Sequence, residues 1–225
     1  MLRAALALVM IGAVAPSALA QEWWMPWSQP GYRAPSYASP RYDEDRYGPR
    51  ERPRGQALMS GGPRPNVSPQ SPDTIAFVSS YEPGTIVIDT AGRKLYLVKS
   101  PRQAFVYPIS VGREGFTWTG TERISRIANW PDWHPPETMR QRQPYLPLRM
   151  TGGVYNPLGA KALYLGNTLY RIHGTDDPRT IGRATSSGCF RMTNGHVVDL
   201  ARRVGVGTTV VVVNRLTASV ARVGG

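Results

Sequence analysis

Near residue 74 the chain changes texture, and only the sequence beyond that point has the side chains to build a core. From Gln21 to about Pro72 it is dense in Pro, Arg, Tyr, Ser and Gly, with Trp23, Trp24 and Trp27 near the start and almost no aliphatic residues. Such a stretch cannot bury enough apolar surface to offset the entropy of ordering it. Residues 21–73 are therefore expected to form a flexible, disordered Pro/Arg/Tyr-rich linker, 74–216 a folded domain, and 217–225 a short tail.

Within 74–216, short β-branched and aromatic runs are separated by turn residues. Thr85 to Asp89 and Lys94 to Val98 flank Ala91-Gly92 and predict a hairpin; Phe105 to Val111 predicts a third strand closed by Gly112. Ala162 to Leu165 and Leu169 to His173 flank Gly166-Asn167, a second hairpin. Thr208 to Val213 is a continuous apolar run suited to a fully buried strand. One helix stands out: Asn194 can cap it, Val197, Val198, Ala201 and Val204 recur at helical spacing, Arg202 and Arg203 favour its C-terminal end, and Gly205 stops it. Repeated strands with one clear α-helix predict a mainly β fold. Between Gly112 and Gly159 the Pro- and Trp-rich sequence, including Asn129 to Pro136, reads as too irregular for long elements. Long loops on a β scaffold are where substrate clefts sit, and Trp118 to Pro147 is the candidate lid.

Arg3 precedes an apolar run from Ala4 to Val14 that breaks at Pro16 and ends in Ala18-Leu19-Ala20. That is the pattern of a secretory signal peptide over residues 1–20, with a mature chain from Gln21. The alternative is a retained anchor, but the apolar core is short for a bilayer span, so no integral membrane segment is expected after cleavage. The expected location is the periplasm. The net charge of +12 draws the chain to polyanions. Export removes the main supply of nucleic acid, and the basic residues are scattered among prolines, so nucleic acid is not an expected partner. Cell-wall carboxylates and phosphates are the expected counter-charge.

The chain has a single cysteine. Exported proteins normally use cysteines in pairs, so an unpaired one is an intermolecular bridge, a buried inert thiol or a reactive nucleophile. His173 ends a predicted strand and is followed by Gly174-Thr175-Asp176-Asp177-Pro178; Cys189 lies in Ser186-Ser187-Gly188-Cys189-Phe190-Arg191-Met192. A thiol is mostly protonated at neutral pH, so a nucleophilic Cys189 needs a base or a positive neighbour. His173 on a neighbouring strand can be either, and a thiolate of lowered pKa is expected. Gly188 lets the backbone turn tightly, and N–H groups at such a turn can face a developing oxyanion. Spacing alone leaves the inert thiol open. Cys189 with His134, His173 and His196 also makes four candidate zinc ligands, but their spacings match no structural zinc pattern, so neither metal nor cofactor is expected.

The runs Tyr170-Arg171-Ile172-His173-Gly174-Thr175, Ile181-Gly182 and Ser186 to Met192 resemble the signature of the L,D-transpeptidase catalytic domain. The likeness extends to Asn156-Pro157-Leu158-Gly159, to the Trp-Pro-x-Trp-x-Pro-Pro block at 130–136 and to Gly207 to Val211, and covers about Thr85 to Asn214. The resemblance implies a β-sandwich-like domain and an enzyme of peptidoglycan biosynthesis, cell wall organisation and cell shape. Cys189 would attack the carbonyl of the third residue of a stem peptide, usually diaminopimelate, and D-Ala would leave. An amine of a second stem would then resolve the thioester as a 3→3 cross-link.

The same resemblance makes His173 the general base and acid, has the Gly174 carbonyl orient the imidazole, and has Gly188 and Cys189 lend N–H groups to the oxyanion. Arg191 would hold the loop or a substrate carboxylate, a purely structural salt bridge being the alternative. Ser187 stands where the family often has His, so a second imidazole near the thiol is missing; Ser187 and Tyr155 are expected beside the substrate. Covalent inhibition by carbapenem-type β-lactams is also implied. Resolution by an amine of an outer-membrane protein, or by water as in an L,D-carboxypeptidase, would use the same acyl-enzyme. A non-catalytic wall-binding module, with the linker Trp and basic residues binding, is the rival from another class.

Overall fold

The computed structural model describes residues 57–113 and 118–216. The expected signal peptide, the linker up to residue 56 and the tail at 217–225 lie outside the described residues. In chain order the strands are β1 (Leu58–Met59), β2 (Asp73–Ala76), β3 (Ile86–Asp89), β4 (Lys94–Ser100), β5 (Gln103–Pro108), β6 (Val111–Gly112) and β7 (Gly120–Asn129). After helix α1 (Glu137–Arg142) come β8 (Arg149–Met150), β9 (Lys161–Leu165), β10 (Arg171–His173), β11 (Ala184–Ser186) and β12 (Phe190–Arg191). Helix α2 (Asn194–Arg203) and β13 (Thr209–Val213) complete the domain, which is mainly β with one clear helix.

Nine strands bond in the order β12-β10-β9-β7-β13-β3-β4-β5-β2. The Val, Ile and Leu runs that stiffen an extended backbone supply the middle of this sheet. Ile86, Ile88, Leu95, Tyr107, Ile124, Leu163, Leu165, Ile172, Val210 and Val212 form one buried cluster with Val197 and Leu200 of α2. The Tyr107 hydroxyl on β5 donates to Asp199 on α2 at 2.8 Å, while α2 also packs on β9 and β10. Strands from both halves of the sheet thus meet one helix. The sheet must curl around α2, which gives the sandwich-like form.

The first hairpin is observed, with Ile86 opposite Leu97 and Asp89 opposite Lys94. So is the second, where Ile172 faces Leu163 and His173 faces Ala162. β13 is not buried on both faces as its apolar run suggested. Val210 and Val212 are buried and Thr209, Val211 and Val213 only partly, Val213 packing against a smaller cluster of Phe77, Val87, Tyr96, Val98 and Ala104.

Three further expectations need correction. The segment from Trp118 to Pro147 is not a lid throughout: its Gly120–Asn129 is a ten-residue strand held between β9 and β13. Its many Arg, Ser and Thr side chains hid it, since edge-to-edge pairing satisfies the backbone whatever the outward residues are.

The linker does not reach residue 73. β1 pairs with β8, the Gly61 N–H donates to Thr151 Oγ1 at 3.0 Å, and the Gln70 N–H donates to Gly195 O at 3.0 Å. These bonds use backbone and glycine instead of aliphatic burial; a Cβ on Gly61 would lie 1.9 Å from the Thr151 carbonyl oxygen.

The cap of α2 is Thr193, whose hydroxyl accepts from the His196 N–H at 3.2 Å. Asn194 serves the loop beside it instead.

Candidate active site

β10 and β12 run parallel, with Ile172 opposite Phe190 and His173 opposite Arg191. Cys189 immediately precedes β12, two positions before Arg191, so the period-two alternation puts its side chain on the side of Arg191 and His173. The two residues singled out by their chemistry are therefore carried by β10 and by the turn that opens its parallel neighbour β12. The Met192 N–H donates to the His173 carbonyl at 2.8 Å and locks the register beyond them.

His173 is buried, and its Nδ1 lies 2.7 Å from the Gly174 carbonyl oxygen. A carbonyl can only accept, so Nδ1 carries the proton and Nε2 keeps its lone pair. Burial chiefly, then the positive charges of Arg191 and Arg171, push the imidazole down to about 3, against the opposing carbonyls of Gly174 and Pro157. At neutral pH the ring is uncharged.

Two asparagines build the loops around it. Asn194 Oδ1 accepts from the N–H groups of Ala160 at 2.9 Å and Thr175 at 3.2 Å, and its Nδ2 donates to Thr175 O at 2.9 Å. This bridge demands glycine on both sides: a Cβ on Gly174 would lie 2.1 Å from Asn194 Oδ1, and one on Gly159 2.2 Å from it. The buried Asn156 donates to the carbonyls of Pro131, Met150 and Thr151 and accepts from Leu158 N–H. Its bonds fix the Pro157 segment against His173.

Cys189 is half-buried, and its Sγ lies 3.6 Å from the Leu169 carbonyl. Burial raises the thiol pKa, opposed by the Arg171 charge and N–H and by Arg191. The expected lowered thiolate is thus replaced by a neutral thiol, because desolvation outweighs the nearby guanidiniums. Among the described residues no hydrogen bond joins Cys189 to His173.

Gly188 does have a positive φ, of 107°, but its N–H donates to Ser186 Oγ at 3.2 Å. The Ser186 hydroxyl in turn donates to the Cys189 carbonyl at 2.5 Å. In this arrangement the Gly188 N–H is committed to its own loop and is not free for an oxyanion. Ser187 is exposed on that loop. Arg191 exchanges two backbone bonds of 2.9 Å with Ser110, and its charge faces Asp176 and Cys189. Tyr155 is exposed and its ring lies against Gly62, with its N–H bonded to Gly61 O; this places it on the β1 side of the domain.

Other side chains build the walls here. Trp118 stacks on Tyr170 with ring centroids 4.8 Å apart and tilts against Phe190 at 6.1 Å, walling the strands that carry His173 and Cys189. Beside Arg171 opens a cavity of about 290 Å³ lined by Arg126, Asp132, Trp133, His134 and Tyr164 among others. Arg171 alternates with His173 on the strand that follows Tyr170, a signal present in the sequence but read only as part of a motif.

Residues 83–212 match the family model described as YkuD, the L,D-transpeptidase catalytic domain. The chain belongs to this family. It is 35% identical over 164 residues to the protein named Probable L,D-transpeptidase YbiS of Escherichia coli (strain K12), covering 68% of this chain and 50% of that one. To the YkuD relative of Bacillus subtilis (strain 168) it is 34% identical over 160 residues, covering 69% of this chain and 84% of that one. The chain thus spans about half the length of YbiS. A solved structure described as a probable carnitine operon oxidoreductase from Brucella melitensis is 45% identical, covers 61% of this chain and 89% of that chain, and has a TM-score of 0.44.

Proposed function

We propose that the chain is an exported L,D-transpeptidase that acts on peptidoglycan stem peptides through a Cys189 thioester. The observation that supports this most is the placement of a neutral, carbonyl-tethered His173 on β10 and of the lone thiol immediately before β12, the parallel strand paired with it. A neutral thiol beside a neutral imidazole is suited to general-base activation, in which the proton leaves sulfur as the sulfur attacks. A base and nucleophile that do not touch before substrate binds are common, since catalytic hydrogen bonds often tighten only in the complex.

In the proposed reaction Cys189 Sγ bonds to the carbonyl carbon of the third stem residue, and its proton passes to His173 Nε2. The C–N bond to D-Ala breaks as that proton moves to the departing nitrogen. An amine then attacks the thioester, gives its proton to His173, and sulfur leaves and recovers it. The acceptor amine belongs to a second stem peptide or to an outer-membrane protein. The Cys189 N–H is the proposed backbone donor to the oxyanion, joined by Gly188 if Ser186 releases it. The leader over residues 1–20 would direct the chain to the periplasm, and carbapenems would acylate Cys189. No described helix is long and apolar enough to cross a membrane.

The test is intact-mass analysis after brief exposure to a disaccharide-tetrapeptide. The mass should rise by that of the donor less D-Ala, and Cys189→Ala should gain nothing. An adduct on the Cys189→Ala variant would place the chemistry elsewhere.

A further inference from the structure

The cavity beside Arg171 has neither His173 nor Cys189 in its lining. Two of its walls are guanidiniums that share one aromatic ring: Arg126 Cζ lies 3.7 Å from the Tyr164 ring centroid and Arg171 Cζ 5.1 Å from it. A guanidinium stacked by its face keeps its N–H donors at the edge, directed away from the ring. Those edges are only partly used, since Arg171 Nη1 donates to the Leu169 carbonyl at 3.2 Å. Among the described residues neither arginine has an ion pair, and Arg171 Nε is buried with no hydrogen-bond partner. An orphaned buried donor is costly unless something else supplies the acceptor.

The cavity has one carboxylate of its own, and it is engaged. Asp132 Oδ2 binds Arg149 at 2.5 Å and Oδ1 accepts the Gly152 N–H at 2.9 Å, with Arg64 at 4.0 Å. The two guanidiniums line this space of about 290 Å³, and neither is ion-paired with that carboxylate. That volume admits a single amino-acid side chain with its carboxylate.

We propose that this cavity is a carboxylate-binding subsite of the acyl donor, in which Arg126 and Arg171 hold one carboxylate of the substrate so that its scissile carbonyl lies over Cys189. Arg171 is the link between the two places, for it lines the cavity and stands on β10 just before Ile172, which pairs with Phe190, the residue after Cys189. Bidentate recognition by planar forks fixes orientation as well as charge. The inference rests on the acyl-transfer reading only for whose carboxylate this is. A diaminopimelate side chain, which ends in a carboxylate, has the required chemistry.

The experiment separates the pocket from the reaction. Cys189 in the full chain is alkylated at one pH by iodoacetate, which carries a carboxylate, and by iodoacetamide, which is neutral and nearly the same size. Relative to free cysteine, the parent should favour iodoacetate by about tenfold, and Arg126→Gln should lose most of that preference. Arg126→Lys should keep part of it. Arg126 is the residue to change because it is exposed on β7, whereas Arg171 also acts on the thiol directly. In parallel, tetrapeptide donors with a free and an amidated diaminopimelate carboxylate are compared, and Arg126→Gln should raise KM for the free acid about tenfold and much less for the amide. An iodoacetate preference equal in parent and Arg126→Gln overturns the subsite, even if peptide turnover is normal. Loss of the preference in a protein that turns over no peptide would instead keep the subsite and remove the acyl-transfer reading.

Discussion

His173 Nδ1 and the carbonyl oxygen of Gly174, 2.7 Å apart on consecutive residues, fix which nitrogen of the buried imidazole holds its proton. Burial and two arginines hold that ring neutral down to about pH 3, whereas in the unfolded chain it titrates near its ordinary 6.5. The unfolded state therefore binds more protons between these values, and stability is lost as pH falls from about 6.5 toward 3. His196, also lowered by burial, adds in the same sense. Urea midpoints taken from about pH 7 to 4.5 should fall steadily, and His173→Gln should flatten the trend. An unchanged slope in that variant would mean that His173 is not held neutral.

Cys189 should alkylate slowly at neutral pH, because burial raises its pKa. The iodoacetamide rate should still be climbing above about pH 9, with no plateau below about pH 7. A plateau in mildly acidic solution would reveal a preformed thiolate–imidazolium pair and contradict the neutral resting state. His173→Ala should leave this profile nearly unchanged while abolishing peptide turnover.

Asn194 joins the start of α2 to the loops before β9 and after β10 through three hydrogen bonds. Replacing it by Ala leaves two N–H groups and a carbonyl short of a partner, at a cost of about 2–3 kcal/mol. Chemical denaturation should register that loss, and turnover should fall further than stability alone explains, since Gly174 carries the carbonyl that orients His173. Asn194→Ala with parental stability would show that the bridge is replaced by water.

A chain beginning at Ala57 should fold like the full protein, whereas one beginning at Thr74 should melt lower by about 5 °C or more. The second lacks β1, the Gly61–Thr151 bond, the Arg64 bond to Gly152 O at 2.9 Å and the Gln70–Gly195 bond. Equal melting temperatures would return residues 57–73 to the linker.

Much of the fold was legible because its hairpins announce themselves locally: Ile86 to Asp89 and Lys94 to Val98 alternate around Ala91-Gly92, and Gly166-Asn167 marks the second turn. β7 was not, since Glu122, Arg123 and Arg126 mask a strand whose burial depends on partners far along the chain. The attachment of residues 57–73 is hidden for a related reason: composition reports side-chain burial, but these residues are held by backbone bonds. At the site, the neighbourhood of His173 and Cys189 could be read from a motif, and the Gly174 contact with it. The electrostatics could not. Whether a thiol is raised or lowered depends on how deeply the fold buries it, which for Cys189 reversed the expected sign. Arg171, Arg126 and Tyr164 became a group only when β7, β9 and β10 were laid side by side.

Product analysis of purified full chain with disaccharide-tetrapeptide is the most direct test that the site transfers an acyl group through Cys189. Mass spectrometry should find free D-Ala with a 3→3 cross-linked dimer, or exchange when a D-amino acid is added, and Cys189→Ala should yield neither. Tripeptide as the sole product would make water the acceptor and the protein an L,D-carboxypeptidase, and an unaltered tetrapeptide in the presence of folded protein would contradict acyl transfer through Cys189 altogether.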